Sequence, residues 1–173
     1  MRRQSTSKKK KTTIGGTGVS PVSSEIQITH RNLPHWQQGG ATYFVTFRVK
    51  RGTLSEEERR LVLAACLHWH QRKWRLYAAV VMPDHAHLLA QPLSHGKNQW
   101  YALGEILHSV KSYSTHQVNK HRRTAGTVWL DESFDRIVRD EAEFREKLLY
   151  MAHNPVKAGL ARTEGGYPYF WIG

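Results

Sequence analysis

Trp74-Arg75-Leu76-Tyr77-Ala78-Ala79-Val80-Val81-Met82-Pro83-Asp84-His85-Ala86-His87-Leu88-Leu89-Ala90-Gln91 is the stretch on which the fold turns. Residues 74–82 form a short apolar run, Pro83-Asp84 is a turn signal, and His85 to Gln91 is a second run. The pattern predicts a β-hairpin with strands over 74–82 and 85–91. His85 and His87 stand one residue apart at the start of its second strand. Side chains on a strand alternate between two faces, so both imidazoles point the same way and can converge on one metal ion.

Working outward, Ala41 to Val49 is rich in β-branched and aromatic residues and predicts a strand before the hairpin. Thr53-Leu54-Ser55-Glu56-Glu57-Glu58 offers a serine cap with acids in the first turn, and the apolar positions from Leu61 to Trp69 carry a helix to about Gln71. After a polar loop with Ser94, His95, Gly96 and Asn98, the spacing of Leu103, Ile106, Leu107 and Val110 predicts a helix from Trp100 to about His121. Val128-Trp129-Leu130 and Phe134 to Arg139 read as one broken or two short extended pieces. A last helix runs from Asp140 to about His153, where Pro155 interrupts it. Strand, helix, hairpin, helix, strand, helix is an α+β order. It predicts a ferredoxin-like or RRM-like antiparallel sheet with helices mainly on one face.

The 173 residues suit one domain, expected over 39–173, preceded by a flexible basic arm over 1–38. A formal net charge of +12 points to a polyanionic partner such as nucleic acid. Arg2, Arg3 and Lys8 to Lys11 supply about half of that excess, so the body is basic by itself. No apolar run approaches the roughly 20 residues of a membrane span, and the beginning of the chain has no secretory apolar stretch. The single cysteine, Cys66, excludes an internal disulfide and fits a buried thiol. The expected location is the cytoplasm, with no membrane partner.

Two histidines do not complete a metal site. On the last helix Tyr150 and Asn154, at i and i+4, share one face. If that face meets the histidine strand, the Asn154 amide oxygen becomes a third ligand and Tyr150 points its hydroxyl at whatever the metal holds. Such a set leaves coordination positions open, which suits Mg²⁺ or Mn²⁺ polarising a phosphate. A neutral phenol is a poor nucleophile unless the phosphorus it attacks is made more electrophilic. Asn154 has a competing reading as the cap of a turn that begins at Pro155. His153 is a lesser ligand candidate, pointing about 100° away. Tyr113 is a rival nucleophile, here read as a DNA-backbone contact. Lys111, Arg122, Arg123 and Lys157 are candidate phosphate contacts. Arg136 and Arg139 read equally as a DNA-facing edge or, with Asp135, as an internal salt-bridge set. The tryptophans, Trp36, Trp69, Trp74, Trp100 and Trp129, are mostly core, with one or two rings free to stack on unpaired bases.

Met82-Pro-Asp-His-Ala-His-Leu-Leu89, Tyr150-Met-Ala-His-Asn-Pro-Val-Lys-Ala-Gly-Leu160, and Val128-Trp129 with Phe134-Asp-Arg-Ile-Val-Arg139 together resemble the single-tyrosine HUH transposases. Within these the likeness is to the REP-associated tyrosine transposases, and it runs from about Gly39 to Leu160. The resemblance implies a ferredoxin-like core in a bacterial, nucleoid-associated enzyme, monomer or homodimer, that binds, cleaves and rejoins REP-like single-stranded DNA hairpins. It implies Tyr150 as the nucleophile, forming a 5′-phosphotyrosine with release of a 3′-OH. His85, His87 and Asn154 would then be ligands to Mg²⁺ or Mn²⁺. The alternative of another class is a non-catalytic basic domain that binds nucleic-acid hairpins.

Overall fold

The computed structural model describes residues 27–30 and 34–173. The arm expected over 1–38 therefore falls outside the described residues at 1–26 and 31–33. Within it, β1 (Gln27–His30) and β2 (Pro34–Gln37) pair as an antiparallel hairpin, and β2 lies beside β8 (Trp129–Ile137).

The body follows the order β3 (Tyr43–Val49), α1 (Glu56–His68), β4 (Trp74–Val81), β5 (His85–Pro92), β6 (Ser94–Gly96), β7 (Gln99–Trp100), α2 (Leu103–Arg122), β8, α3 (Glu141–Lys157) and β9 (Phe170–Ile172). Five strands form one antiparallel sheet in the order β8-β3-β5-β4-β9. Leaving aside β9, this is the split βαβ arrangement of a ferredoxin-like domain, with β5 between the parallel pair β3 and β4.

Register assigns each side chain to a face. Val45 pairs with Leu88 and Phe47 with Ala86, while Thr46 pairs with His87 and Arg48 with His85. The Val45/Leu88 face is closed by α1 and α2. Trp74 Nε1 donates to the Cys66 carbonyl of α1, and Trp129 Nε1 donates to Ser114 Oγ of α2 at 2.9 Å, both tryptophans being buried. Cys66 is fully buried, and burial pushes its thiol up to about 12. Each large apolar side chain buried on this face contributes roughly 1.5–3 kcal/mol. The other face, bearing the histidines, receives α3, which packs on β4 and β5. Two helices thus share one face and the third crosses the opposite one.

Ser55 and Glu58 form the expected capping box at α1. The nearly buried Glu58 carboxylate also takes two bonds from Arg122, at 2.8 and 2.7 Å, tying the start of α1 to the end of α2.

Some boundaries differ from the sequence reading, α1 ending at His68 and not about Gln71 among them, and the alternative left open after Val128 is decided. The second helix starts at Leu103, not Trp100, because Trp100 pairs in the β6–β7 hairpin and lays its ring on Gly39, where only glycine leaves room. The extended pieces after Val128 are one strand, β8, whose register on β3 shifts between Phe47 and Val49. The last helix does not stop before Pro155 but runs through it to Lys157, with Met151 and Pro155 buried. Proline forfeits one backbone bond there, and burial of the ring against the body offsets that loss. The helix ends at Gly159, whose φ of 69° admits a Schellman closure: Leu160 N donates to Pro155 O and Gly159 N to Val156 O. Among the described residues no helix is long and apolar enough to cross a membrane.

Candidate active site

The β4–β5 turn sets the position of the histidines. Met82 N donates to His85 O, Val49 N to Asp84 O and Leu54 N to Pro83 O, all at 2.7–2.8 Å, so the turn is bonded to β3 and to the entry of α1. From there His85 and His87 project to the same face, their ring centroids 4.6 Å apart.

Each ring has one nitrogen occupied from behind. His85 Nδ1 lies 2.7 Å from Asp84 Oδ1, and His87 Nδ1 lies 2.7 Å from Thr46 Oγ1 on β3. The Asp84 carboxylate accepts from His85 Nδ1–H, which leaves the Nε2 lone pair facing forward. His87 Nε2 is buried and has no hydrogen-bond partner. Burial, with His85 and Arg48 adding repulsion, pushes the His87 imidazole down to about 3, so it is neutral at physiological pH. Burial works against ionisation of Asp84, but its bond from His85 and the Arg48 charge outweigh this and hold its carboxyl below the ordinary range.

α3 brings the other half. The Asn154 amide lies 3.3 Å from His85 Nε2, and the Tyr150 ring meets the His87 ring edge-on with centroids 5.3 Å apart. Phe44 of β3 stacks on His87 at 5.2 Å and touches the Tyr150 edge at 6.1 Å. Tyr150 stays 48% exposed, so its phenol is packed on one side and open to an incoming substrate on the other. Because the helix continues through Pro155, Asn154 sits inside it and does not cap a new turn. Its amide is left to face His85. Among the described residues no three His, Cys, Asp or Glu side chains are grouped to hold a metal ion. A metal at the histidine pair would therefore draw its third protein donor from the Asn154 amide oxygen, presented by rotating the amide.

Beyond the geometry, comparison with known proteins finds relatives in sequence and in structure. A Haemophilus influenzae protein assigned as a REP-associated tyrosine transposase is 28% identical over 146 residues, covering 75% of this chain and 78% of that protein. A solved structure of a REP-associated tyrosine transposase bound to a REP hairpin superposes with a TM-score of 0.63 at 19% identity, covering 83% of this chain and 92% of the other. The chain is similar to the REP-associated tyrosine transposases. The α+β fold read from the sequence is the one found, and the solved relative shares it. No protein-family model matches the chain.

Within this transposase-like fold the remaining candidate residues are dispersed. Tyr113 is exposed on α2, the helix on the face away from the histidines. Lys111 Nζ donates to the carbonyls of Leu130 and Asp131, joining α2 to β8. Arg122 is committed to Glu58, and Arg123 caps α2 in a left-handed conformation. Lys157 is exposed at the end of α3. Arg136 and Arg139 both pair with Glu143 in the first turn of α3, a nearly buried carboxylate the sequence reading did not single out. His153 turns toward Glu164 at 3.1 Å, away from the site. Trp36 lies where no side chain is described, and Trp69 donates to Ser109.

Sequence reasoning missed four residues of the site's surroundings: Thr46, Phe44, Asp84 as the partner of His85, and Lys147, whose amine lies 5.8 Å from the Phe44 ring centroid. Asp84 was visible as the residue preceding His85 but read only as a turn former. Thr46 and Phe44 needed the β3–β5 register, which no local pattern contains.

Proposed function

We propose that this protein is a metal-dependent single-stranded DNA transesterase of transposase type, one that binds REP-like hairpins and cleaves and rejoins them through a 5′-phosphotyrosine at Tyr150. The observation that carries the reading is the convergence of His85 Nε2, the buried and partnerless His87 Nε2, the Asn154 amide and the open Tyr150 phenol between β5 and α3. A buried ring nitrogen without a hydrogen-bond partner costs about 1–3 kcal/mol, a cost that a cation bound through the lone pair of the neutral imidazole would remove. The donor set of two imidazoles and one amide oxygen fits Mg²⁺ or Mn²⁺ with positions left for phosphate oxygens. Bound there, such an ion would polarise the scissile phosphate.

The chain's own groups do the rest. Tyr150 Oη attacks phosphorus, the bond from phosphorus to the 3′ oxygen breaks, and that oxygen leaves with a proton as a 3′-OH. The 5′ side stays bonded to tyrosine, and attack by a 3′-OH on the phosphotyrosine reverses the step and rejoins DNA. Phe44 and His87 hold the Tyr150 ring from the packed side, while Asp84 and Thr46 hold the imidazoles from behind. The hairpin as substrate comes from the solved relative, which is bound to one. DNA in the cytoplasm is where such an enzyme would act, as monomer or homodimer.

The test incubates the full chain with Mn²⁺ or Mg²⁺ and a DNA hairpin carrying a 5′ single-stranded extension. The expected product is a protein–DNA adduct that survives denaturation and disappears on chelation and in Tyr150→Phe. Absence of adduct with both metals contradicts the reading. Cleavage without adduct, persisting in Tyr150→Phe, would mean that water and not tyrosine is the nucleophile.

A further inference from the structure

We infer that the outer part of the histidine-bearing face, on β8 and β3, is a stacking platform for an unpaired nucleotide beside the scissile phosphate, with Phe134 as its ring. The inference rests on the reading of the chain as a single-stranded DNA enzyme and names where that strand lies. Register decides the geometry. Phe134 pairs with Thr46, Thr46 with His87, and His87 with Val80, so Phe134, Thr46, His87 and Val80 form one row across four strands. At the usual spacing of neighbouring strands, Phe134 is roughly 10 Å from His87 along the backbone, a nucleotide or two away.

Phe134 is 56% exposed, whereas Phe44 and Phe47 of the neighbouring strand are buried. A large apolar ring left open in the middle of a nine-residue strand gains nothing for the core. Cations flank it on the same face: Arg136 two residues on, and Arg48 beyond Thr46 with 62% of its side chain exposed and only a 3.9 Å contact to Asp84. An exposed ring between guanidinium groups matches an unpaired base with its phosphates, because any base has a π-face and the backbone is anionic. A duplex stem would offer the ring no unstacked base. Glu143 binds Arg136 and Arg139 together and so holds this edge of the platform against the start of α3.

The test measures binding by the full chain, without metal, of two probes sharing one hairpin stem: one blunt, one with a 5′ extension of about eight nucleotides. Wild type should bind the extended probe more tightly. Phe134→Ala should lose about fivefold or more on the extended probe with no change on the blunt one, and Phe134→Trp should restore the loss. An abasic site placed along the extension should weaken wild type at one or two positions, and those positions should cease to matter in Phe134→Ala. Equal binding of the extended probe by Phe134→Ala and wild type, or an equal loss on both probes, would overturn the platform. Adduct formation is scored separately on the same proteins. An adduct with no Phe134 effect removes the platform alone, and a Phe134 effect with no adduct removes the catalytic reading alone.

Discussion

The two faces of the central sheet are built to opposite rules. On the face closed by α1 and α2, most buried polar groups pair with one another, Trp129 with Ser114, Ser114 with the Val110 carbonyl, Glu58 with Arg122 and its own helix N-terminus, while Arg59 Nε of α1 is the exception. On the face crossed by α3, a histidine is buried with one nitrogen left without a partner, a tyrosine is half open, and a phenylalanine lies exposed. The first face holds the fold. The second keeps an unpartnered imidazole nitrogen and open aromatic rings, a cost in stability of the kind that functional sites bear.

The comparison predicts different currencies for substitutions on the two faces. The largest stability effect should come from Trp129→Ala, which empties a fully packed position and removes the donor to Ser114 Oγ, lowering stability by about 3–5 kcal/mol in urea unfolding. A loss as small as that of a surface substitution would mean that this face is not the core. Next is Glu58→Gln, expected to cost about 1–2 kcal/mol by removing the charge partner of the part-exposed Arg122, which keeps its bond to the Thr53 carbonyl. The Arg122 hydrogen bond outweighs burial and lowers the Glu58 carboxyl below its ordinary value. That stabilisation is present above the unfolded carboxylate value of about 4.3 and is lost as pH falls through the lower folded one. Wild-type stability should therefore drop on the acid side more steeply than that of Glu58→Gln. The smallest effect should come from His87→Leu, which removes the partnerless Nε2 but also the Nδ1 bond to Thr46, so that stability should change by less than about 1 kcal/mol while Mn²⁺ binding by calorimetry is abolished. A destabilisation comparable to Trp129→Ala would place His87 in the structural category with the other face.

Most of the ferredoxin-like frame was legible because its signals are local. The alternation around His85 and His87, the capping box at Ser55 and the apolar spacing of α2 each specify an element without knowledge of its neighbours. The end of α3 was not, since Pro155 is a helix breaker by rule and its tolerance depends on burial against elements distant in sequence. In the same way, His85, His87, Tyr150 and Asn154 could be nominated from spacing on a strand and on a helix. Their convergence waited on α3 crossing the histidine face. Thr46, Phe44 and Phe134 share the His87 neighbourhood only through strand register, and no local pattern around any of them announces it. The basic residues were harder still. Charge alone did not distinguish Arg122, held by Glu58, and Lys111, held by β8 carbonyls, from arginines on the face of the site.

The decisive measurement is the location of the nucleotide. The denaturation-resistant adduct formed with a 5′-extended hairpin and Mn²⁺ is digested with protease and nuclease, and the modified peptide is sequenced by mass spectrometry. The modification is predicted on the α3 peptide at Tyr150, as a 5′-linked phosphate. A modification on the α2 peptide at Tyr113, or one that survives Tyr150→Phe, would contradict it.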